Sequence, residues 1–276
     1  MDLAAGMGTK PTRYICVLLG TENRPVHNRP DTRVPATVTV EINEFRVMTS
    51  GGFTAAYKEL IPRIAASARM KVVTVTTSIG TGENSIPNRL RRGEVADIVI
   101  CADGVLQQFI REGLVLGEGH AQLARSRIGL AVRAGAAKPD IGSVDALRDT
   151  LLRAKSIGYS ASESGKYVTN RLYQRLGIAE QALPKSMLVG GGERVGAVIA
   201  RGGVEIGFQQ MSELLPVPGI DHITPLPAEL QWITIFSAGV GANSSDKAVA
   251  QAVIRLLASK EAAATIRNTG LEPLVS

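Results

Sequence analysis

Residues 46–60 read RVMTSGGFTAAYKEL, and this stretch decides the fold. Its first part reads as a strand that stops at Thr49. Its second part repeats apolar residues at helical spacing, the pattern of an amphipathic helix. Between them, Ser50, Gly51 and Gly52 make a small polar turn. Such a turn leaves backbone N–H groups without partners at a helix N-terminus, where the helix dipole favours negative charge.

Outward from this turn the same alternation continues. KVVTVTTS (71–78), ADIVICA (96–102), SRIGLAVRAG (126–135), SIGYSAS (156–162), SMLVGGG (186–192), VEIGFQQ (204–210) and WITIFSAGVGA (232–242) read as strands. Helices are predicted at 53–68, 86–93, 106–114, 143–154, 165–178, 193–203, 246–259 and 261–270, with Pro87 in a first turn and Ser143 as an N-cap. Gly113 and Gly177 stand where C-caps belong. Strands alternating with helices predict an α/β fold with mostly parallel sheets. Two such units, joined by SRIGLAVRAG and rejoined by WITIFSAGVGA, predict two lobes with a ligand cleft between them. The expected division is a flexible leader at 1–43, one lobe at 44–126 plus 239–276, and the other at 127–238.

Four strand-to-helix turns are built from Ser, Thr and Gly: TSGGF, SIGTGENS, SASESGKY and GGGERVG. They offer Thr49, Ser50, Gly51, Gly52, Thr81, Gly82, Ser162, Ser164, Lys166, Tyr167 and Arg194 as ligand-holding residues. At any one turn, helix capping by Ser or Thr explains the composition equally well. SASESGKY is no phosphate loop, because Ser160 stands where the first glycine belongs and Tyr167 replaces the last hydroxyl residue. GTGENS lacks the third glycine of a dinucleotide fingerprint.

Glu83, Glu163 and Glu193 stand inside three of the turns. Each either stabilises a helix N-terminus as a surface acid or serves as a general base against a bound carboxylate. The sequence does not choose among them. Gln209 and Gln210 end a strand, and alternation sends one to each face, so one reaches the cleft.

Composition narrows the partners. The chain has 276 residues, 45% of them hydrophobic, and a formal net charge of +6. Its basic residues are scattered and lack the interleaved aromatics of a nucleic-acid surface, which favours a small anionic ligand. His27, His120 and His222 are isolated, and Cys16 and Cys101 read as free thiols, so no metal or other cofactor is expected. YICVLLG is too short to span a membrane and has no cleavage pattern after it, so direct membrane insertion is not expected. As written, the chain reads as cytoplasmic, or periplasmic if the true N-terminus differs.

RVMTSGGFTAAYKEL, RLRRGEVADIVICAD, GVEIGFQQMSELLP and the C-terminal helices resemble the type 2 periplasmic-binding-protein fold, in its molybdate-binding-protein-like family. The resemblance runs from about residue 44 to the end. TSGGF, SIPNRLRRGE, ARSRIGLAVRAGAAKPDI, AKSIGYSASESGKY and FQQMSELLPVPG are most similar to the subgroup that includes aconitate isomerase. In molybdate receptors, side chains and amides of the first two turns hold the oxyanion, with a tyrosine after a later strand. Here Ser50 and SIGTGENS match the first two elements, and Gln209 and Gln210 stand in place of the tyrosine. That departure implies a larger, hydrogen-bonding organic anion. The subgroup implies an isomerase moving a proton across the allylic system of cis- and trans-aconitate. The wider family implies the receptor of an importer for an oxyanion or small carboxylate, with a membrane permease as partner.

Overall fold

The computed structural model describes residues 44–80, 82–190 and 192–274. The leader, Cys16, His27 and Thr81 lie outside the described residues. In chain order a first sheet takes β1 (Glu44–Thr49), β2 (Lys71–Thr76), β3 (Ile98–Ala102) and β4 (Ala121–Ser126). A second takes β5 (Ile128–Arg133), β6 (Ile157–Ser160), β7 (Ser186–Val189), β8 (Ile206–Gln210) and β9 (Ile220–Pro225). The chain then returns to the first sheet with β10 (Thr234–Val240) and β11 (Glu272–Pro273). The strand orders are β11-β4-β10-β3-β1-β2 and β7-β6-β8-β5-β9.

The helices flank these sheets. They are α1 (Gly51–Ser67), α2 (Ile86–Arg91), α3 (Asp103–Arg111), α4 (Val144–Arg153), α5 (Glu163–Tyr167) and α6 (Tyr173–Arg175). They continue with α7 (Ala179–Ala182), α8 (Val195–Ala200), α9 (Met211–Leu214), α10 (Lys247–Leu257) and α11 (Ala263–Asn268). Helix α1 buries Phe53, Tyr57 and Leu60 against Val47, Ile98, Val253 and Ile254, forming the core of the first lobe. Ile128, Leu147, Ile157, Val168, Tyr173 and Phe208 form that of the second. Each fully buried side chain of this size contributes about 1.5–3 kcal/mol.

Each sheet is mixed. β1 runs parallel to β2 and β3, and β6 runs parallel to β7 and β8. β10 is antiparallel to β3 and β4, and β5 is antiparallel to β8 and β9. The antiparallel share exceeds what strand–helix alternation implies, because the crossing strands join each sheet without a helix between them.

SRIGLAVRAG does not form one long strand. β4 ends at Ser126 in the first sheet and β5 begins at Ile128 in the second, so the chain crosses at Arg127. The return crossing precedes Thr234. The two crossings are fastened to each other by Gln231. Its Oε1 accepts from the Ile128 N–H at 2.9 Å, and its Nε2 donates to the Ile128 carbonyl at 3.1 Å. Beside it, Trp232 stacks on Tyr167 with centroids 5.4 Å apart, and the Arg171 guanidinium lies 5.1 Å above the indole.

Candidate functional site

A cleft of about 680 Å³ opens between the sheets, at the carboxyl ends of β1, β6, β7 and β8. Open α/β sheets place ligands there, and the volume suits a small organic molecule. Of the predicted residues, Ser50, Gly51, Gly52, Gly82, Glu83, Ser162, Glu163, Glu193, Arg194, Gln209 and Gln210 line it.

The serines at its helix N-termini do not cap. Ser50, Ser85 and Ser162 hold the N-cap positions of α1, α2 and α5, and none makes a side-chain cap hydrogen bond. All three line the cleft. Ser143, away from the cleft, does cap: its Oγ accepts from the Ala146 N–H at 3.1 Å. Asp246, at the start of α10, also caps, accepting from the Val249 N–H at 3.0 Å. An N-cap oxygen that leaves the first-turn amides alone leaves those donors for something else. The buried Ser85 Oγ has no hydrogen-bond partner among the described residues. Ser160, Ser162 and Ser164 form a hydroxyl chain, with oxygens 2.7 and 3.1 Å apart.

The glycine pair has a different role from the one its sequence suggests. Close approach of a ligand to the backbone is the expectation, yet protein already fills that space. A Cβ on Gly51 would overlap the Glu213 carboxyl, and one on Gly52 would overlap the Phe236 ring. The two glycines admit these side chains to the cleft wall.

Other predicted residues stand outside the lining. Thr49 is buried, and its Oγ1 donates to the Ser50 carbonyl at 3.3 Å. Ser164 is fully buried behind Ser162. Tyr167 turns into the second lobe and donates to the Leu230 carbonyl at 2.6 Å. Lys166 points to solvent and pairs with Glu163 at 3.2 Å. The helical period explains this: α5 turns Lys166 and Tyr167 away from the strand end that Ser162 faces.

Each of the three turn glutamates is on the rim. Glu163 pairs with Lys166, Glu193 with Arg201, and both side chains are 38% exposed. Glu83 is exposed, and its backbone carbonyl accepts from Arg92 at 2.7 Å.

The carboxyl that reaches inside is that of Glu213, a half-buried residue on α9 directly after β8. Burial pushes it up to about 7, against the Arg194 guanidinium and the hydrogen-bonding Gln209 amide, which favour its charged form. The Gln209 Oε1 accepts from the Val195 N–H at 3.1 Å, which orients its amide nitrogen toward Glu213. Ser212 donates to the Gly52 carbonyl at 2.7 Å, fastening α9 of the second lobe to α1 of the first. Gln210 also crosses the cleft: its Nε2 donates to Thr234 Oγ1 at 2.8 Å, while its buried Oε1 is unpartnered among the described residues.

Sequence reasoning missed Glu213 because the β8–α9 connection lacks the Ser/Gly composition of the other turns. It is nonetheless a further strand-to-helix junction, and its acid follows Gln210 by three residues. Cys101 is fully buried in β3, where burial pushes the thiol up and leaves it unreactive.

The chain is similar to known proteins in sequence and in fold. The model of the bacterial extracellular solute-binding protein family matches residues 45–272. The aconitate isomerase of a Pseudomonas species is 36% identical over 241 residues, 87% of this chain and 92% of that protein. The periplasmic molybdate-binding protein of Azotobacter vinelandii superposes with a TM-score of 0.67 at 17% identity, over 82% of this chain and 98% of that one. The sulfate-binding protein of Mycobacterium tuberculosis gives 0.65 at 17% identity, over 84% of this chain and 87% of that one. At such identities the two structures establish the fold. The chain belongs to the bacterial extracellular solute-binding protein family.

Proposed function

We propose that this member of the family is an isomerase acting on a small unsaturated polycarboxylate, interconverting cis- and trans-aconitate in the interlobe cleft by allylic proton transfer. The observation that carries the reading is the 36% identity with aconitate isomerase over 241 residues. A contiguous stretch of that length in a chain of 276 takes in every cleft residue from Ser50 to Phe236.

The site chemistry supports it. The substrate carries three carboxylates, and its reaction passes through a dienolate-like anion. Donors must pin the carboxylates, and positive charge must stabilise the anion. The free first-turn amides of α1, with Ser50 and the Ser162 hydroxyl, pin one end. Arg194 supplies the cation among the lining residues, and Gln210 orients the far carboxylate from the opposite wall. Lys166, expected among the ligand-holding residues, is turned to solvent and paired with Glu163.

A second reading is the receptor of an importer for an oxyanion or small carboxylate, working with a membrane permease. It is favoured by the solute-binding family, whose description as extracellular also supports a place outside the inner membrane. Among the described residues no helix is long and apolar enough to cross a membrane.

Proton NMR of the protein with cis-aconitate in D2O separates the two. Growth of trans-aconitate signals is the expected result, with deuterium at the methylene carbon to the extent that the transferred proton exchanges with solvent. An unchanged spectrum with saturable binding of aconitate or molybdate would leave a receptor.

A further inference from the structure

We infer that Glu213 is the single group that takes and returns the proton, working from one face of the substrate. This inference rests on the isomerase reading above. The proton transfer of that reading needs an acid–base group inside the cleft, and the rim glutamates do not meet the need. Glu163 and Glu193 are held by Lys166 and Arg201, and Glu83 is open to water. A carboxylate engaged by a surface cation must break that pair to reach a bound substrate.

Glu213 is placed differently. It comes from the second lobe, yet its carboxyl rests on Gly51, the first residue of α1 in the other lobe. The Ser212–Gly52 hydrogen bond fixes that seat. The carboxyl therefore stands beside the amides that pin one substrate carboxylate and beside Arg194. Gln209, itself anchored on the Val195 N–H, favours its charged form. Its value near 7 means that both the base and the acid form are populated at neutral pH.

The step balances without a further reactant. The Glu213 carboxylate takes a proton from the substrate methylene, and the C–H electron pair becomes a new C=C to the central carbon. The old C=C pair then takes the proton back from the Glu213 carboxyl at the other terminal carbon. Glu213 ends ionised, as it began. The conformation about the methylene–central carbon bond when the proton leaves sets the geometry of the new C=C, and so whether the cis or the trans isomer leaves. The reverse reaction begins from the same ionised Glu213, because the product again carries a methylene beside the C=C.

The test compares wild type, Glu213→Gln, Glu163→Gln and Glu193→Gln in the cis-aconitate NMR assay, with calorimetric binding of trans-aconitate. Glu213→Gln is expected to lose about 10²–10⁴-fold in turnover while binding is retained. The two rim variants are expected to turn over like wild type. Full turnover in Glu213→Gln overturns the inference and leaves the isomerase reading intact. An inert wild type overturns both. Should Glu213→Gln fail to fold, Glu213→Asp withdraws the carboxyl by one methylene and is expected to cost about 10²-fold. Unchanged turnover in Glu213→Asp, with a folded circular dichroism spectrum, also overturns it.

Discussion

The Glu213 carboxyl occupies the space that a side chain on Gly51 would fill. The two residues come from different lobes, so the cleft is closed at its base by a contact that only glycine permits. Gly51→Ala is therefore expected to displace the carboxyl, the flexible end of a side chain, with little change in thermal midpoint. Turnover should fall by about 10²-fold, the cost of a misplaced reacting group. Gly52→Ala meets the buried Phe236 ring, which cannot swing away, and should cost about 1–3 kcal/mol of stability. Thermal denaturation and turnover, measured on both variants, would refute this account if the two changed in the same way.

Glu213 also makes folding depend on pH, with a sign that can be worked out. Its folded value, about 7, is raised above the ordinary 4.5 by burial, so the folded state holds the proton more tightly than the unfolded one. The contribution is fully present below about pH 4.5 and is lost as pH rises through about 7. Glutamine does not titrate. Glu213→Gln should thus gain stability relative to wild type between pH 5 and pH 8, on the order of 1–3 kcal/mol. Melting curves at the two pH values check it; an equal difference at both would mean that the carboxyl is not desolvated.

Gln209 favours the charged form of Glu213 and is held by the Val195 N–H. Replacing it with methionine removes that support, so Glu213 should ionise at higher pH. If the ionised carboxyl starts the reaction, the rising limb of kcat/KM moves to higher pH in Gln209→Met. The Val195 N–H loses its acceptor, and stability should drop by about 1–3 kcal/mol. A limb that stays in place while stability falls would assign Gln209 a structural role alone.

The sequence carried the architecture through period and punctuation. Alternating strands and helices, Pro87 in a first turn and glycines at Gly113 and Gly177 all report local backbone geometry, and the positive φ of Gly113 and Gly177 agrees with C-cap positions. Parallel and antiparallel pairing were not legible, because pairing joins distant segments: β4 and β10 meet across more than a hundred residues. Part of the site was legible for the same local reason. Ser50, Gly51, Gly52 and Ser162 follow strand ends directly, and Arg194 follows β7 by a short turn, so topology brings them to the cleft. Lys166 and Tyr167 follow the same strand end as Ser162, but the rotation of α5 is set by packing against the second lobe and turns them from the cleft. The interior acid was illegible because its burial depends on Gly51, more than 150 residues away in the chain.

Ser50 and Ser143 occupy the same position on two helices and have different partners. Ser143 caps α4 through the Ala146 N–H, whereas Ser50 opens α1 without a side-chain cap and faces the cleft. Ser143→Ala should cost about 1 kcal/mol of stability, the usual loss of a cap, and leave ligand binding untouched. Ser50→Ala should do the reverse. Its hydroxyl makes no cap bond in the free protein, so stability holds, while a hydrogen bond to a charged carboxylate, about 1.5–3 kcal/mol, is lost on binding. Calorimetric titration with trans-aconitate and urea denaturation of both variants would decide it. Equal stability loss in the two would mean that Ser50 is an ordinary cap and that the α1 amides are not reserved for a ligand.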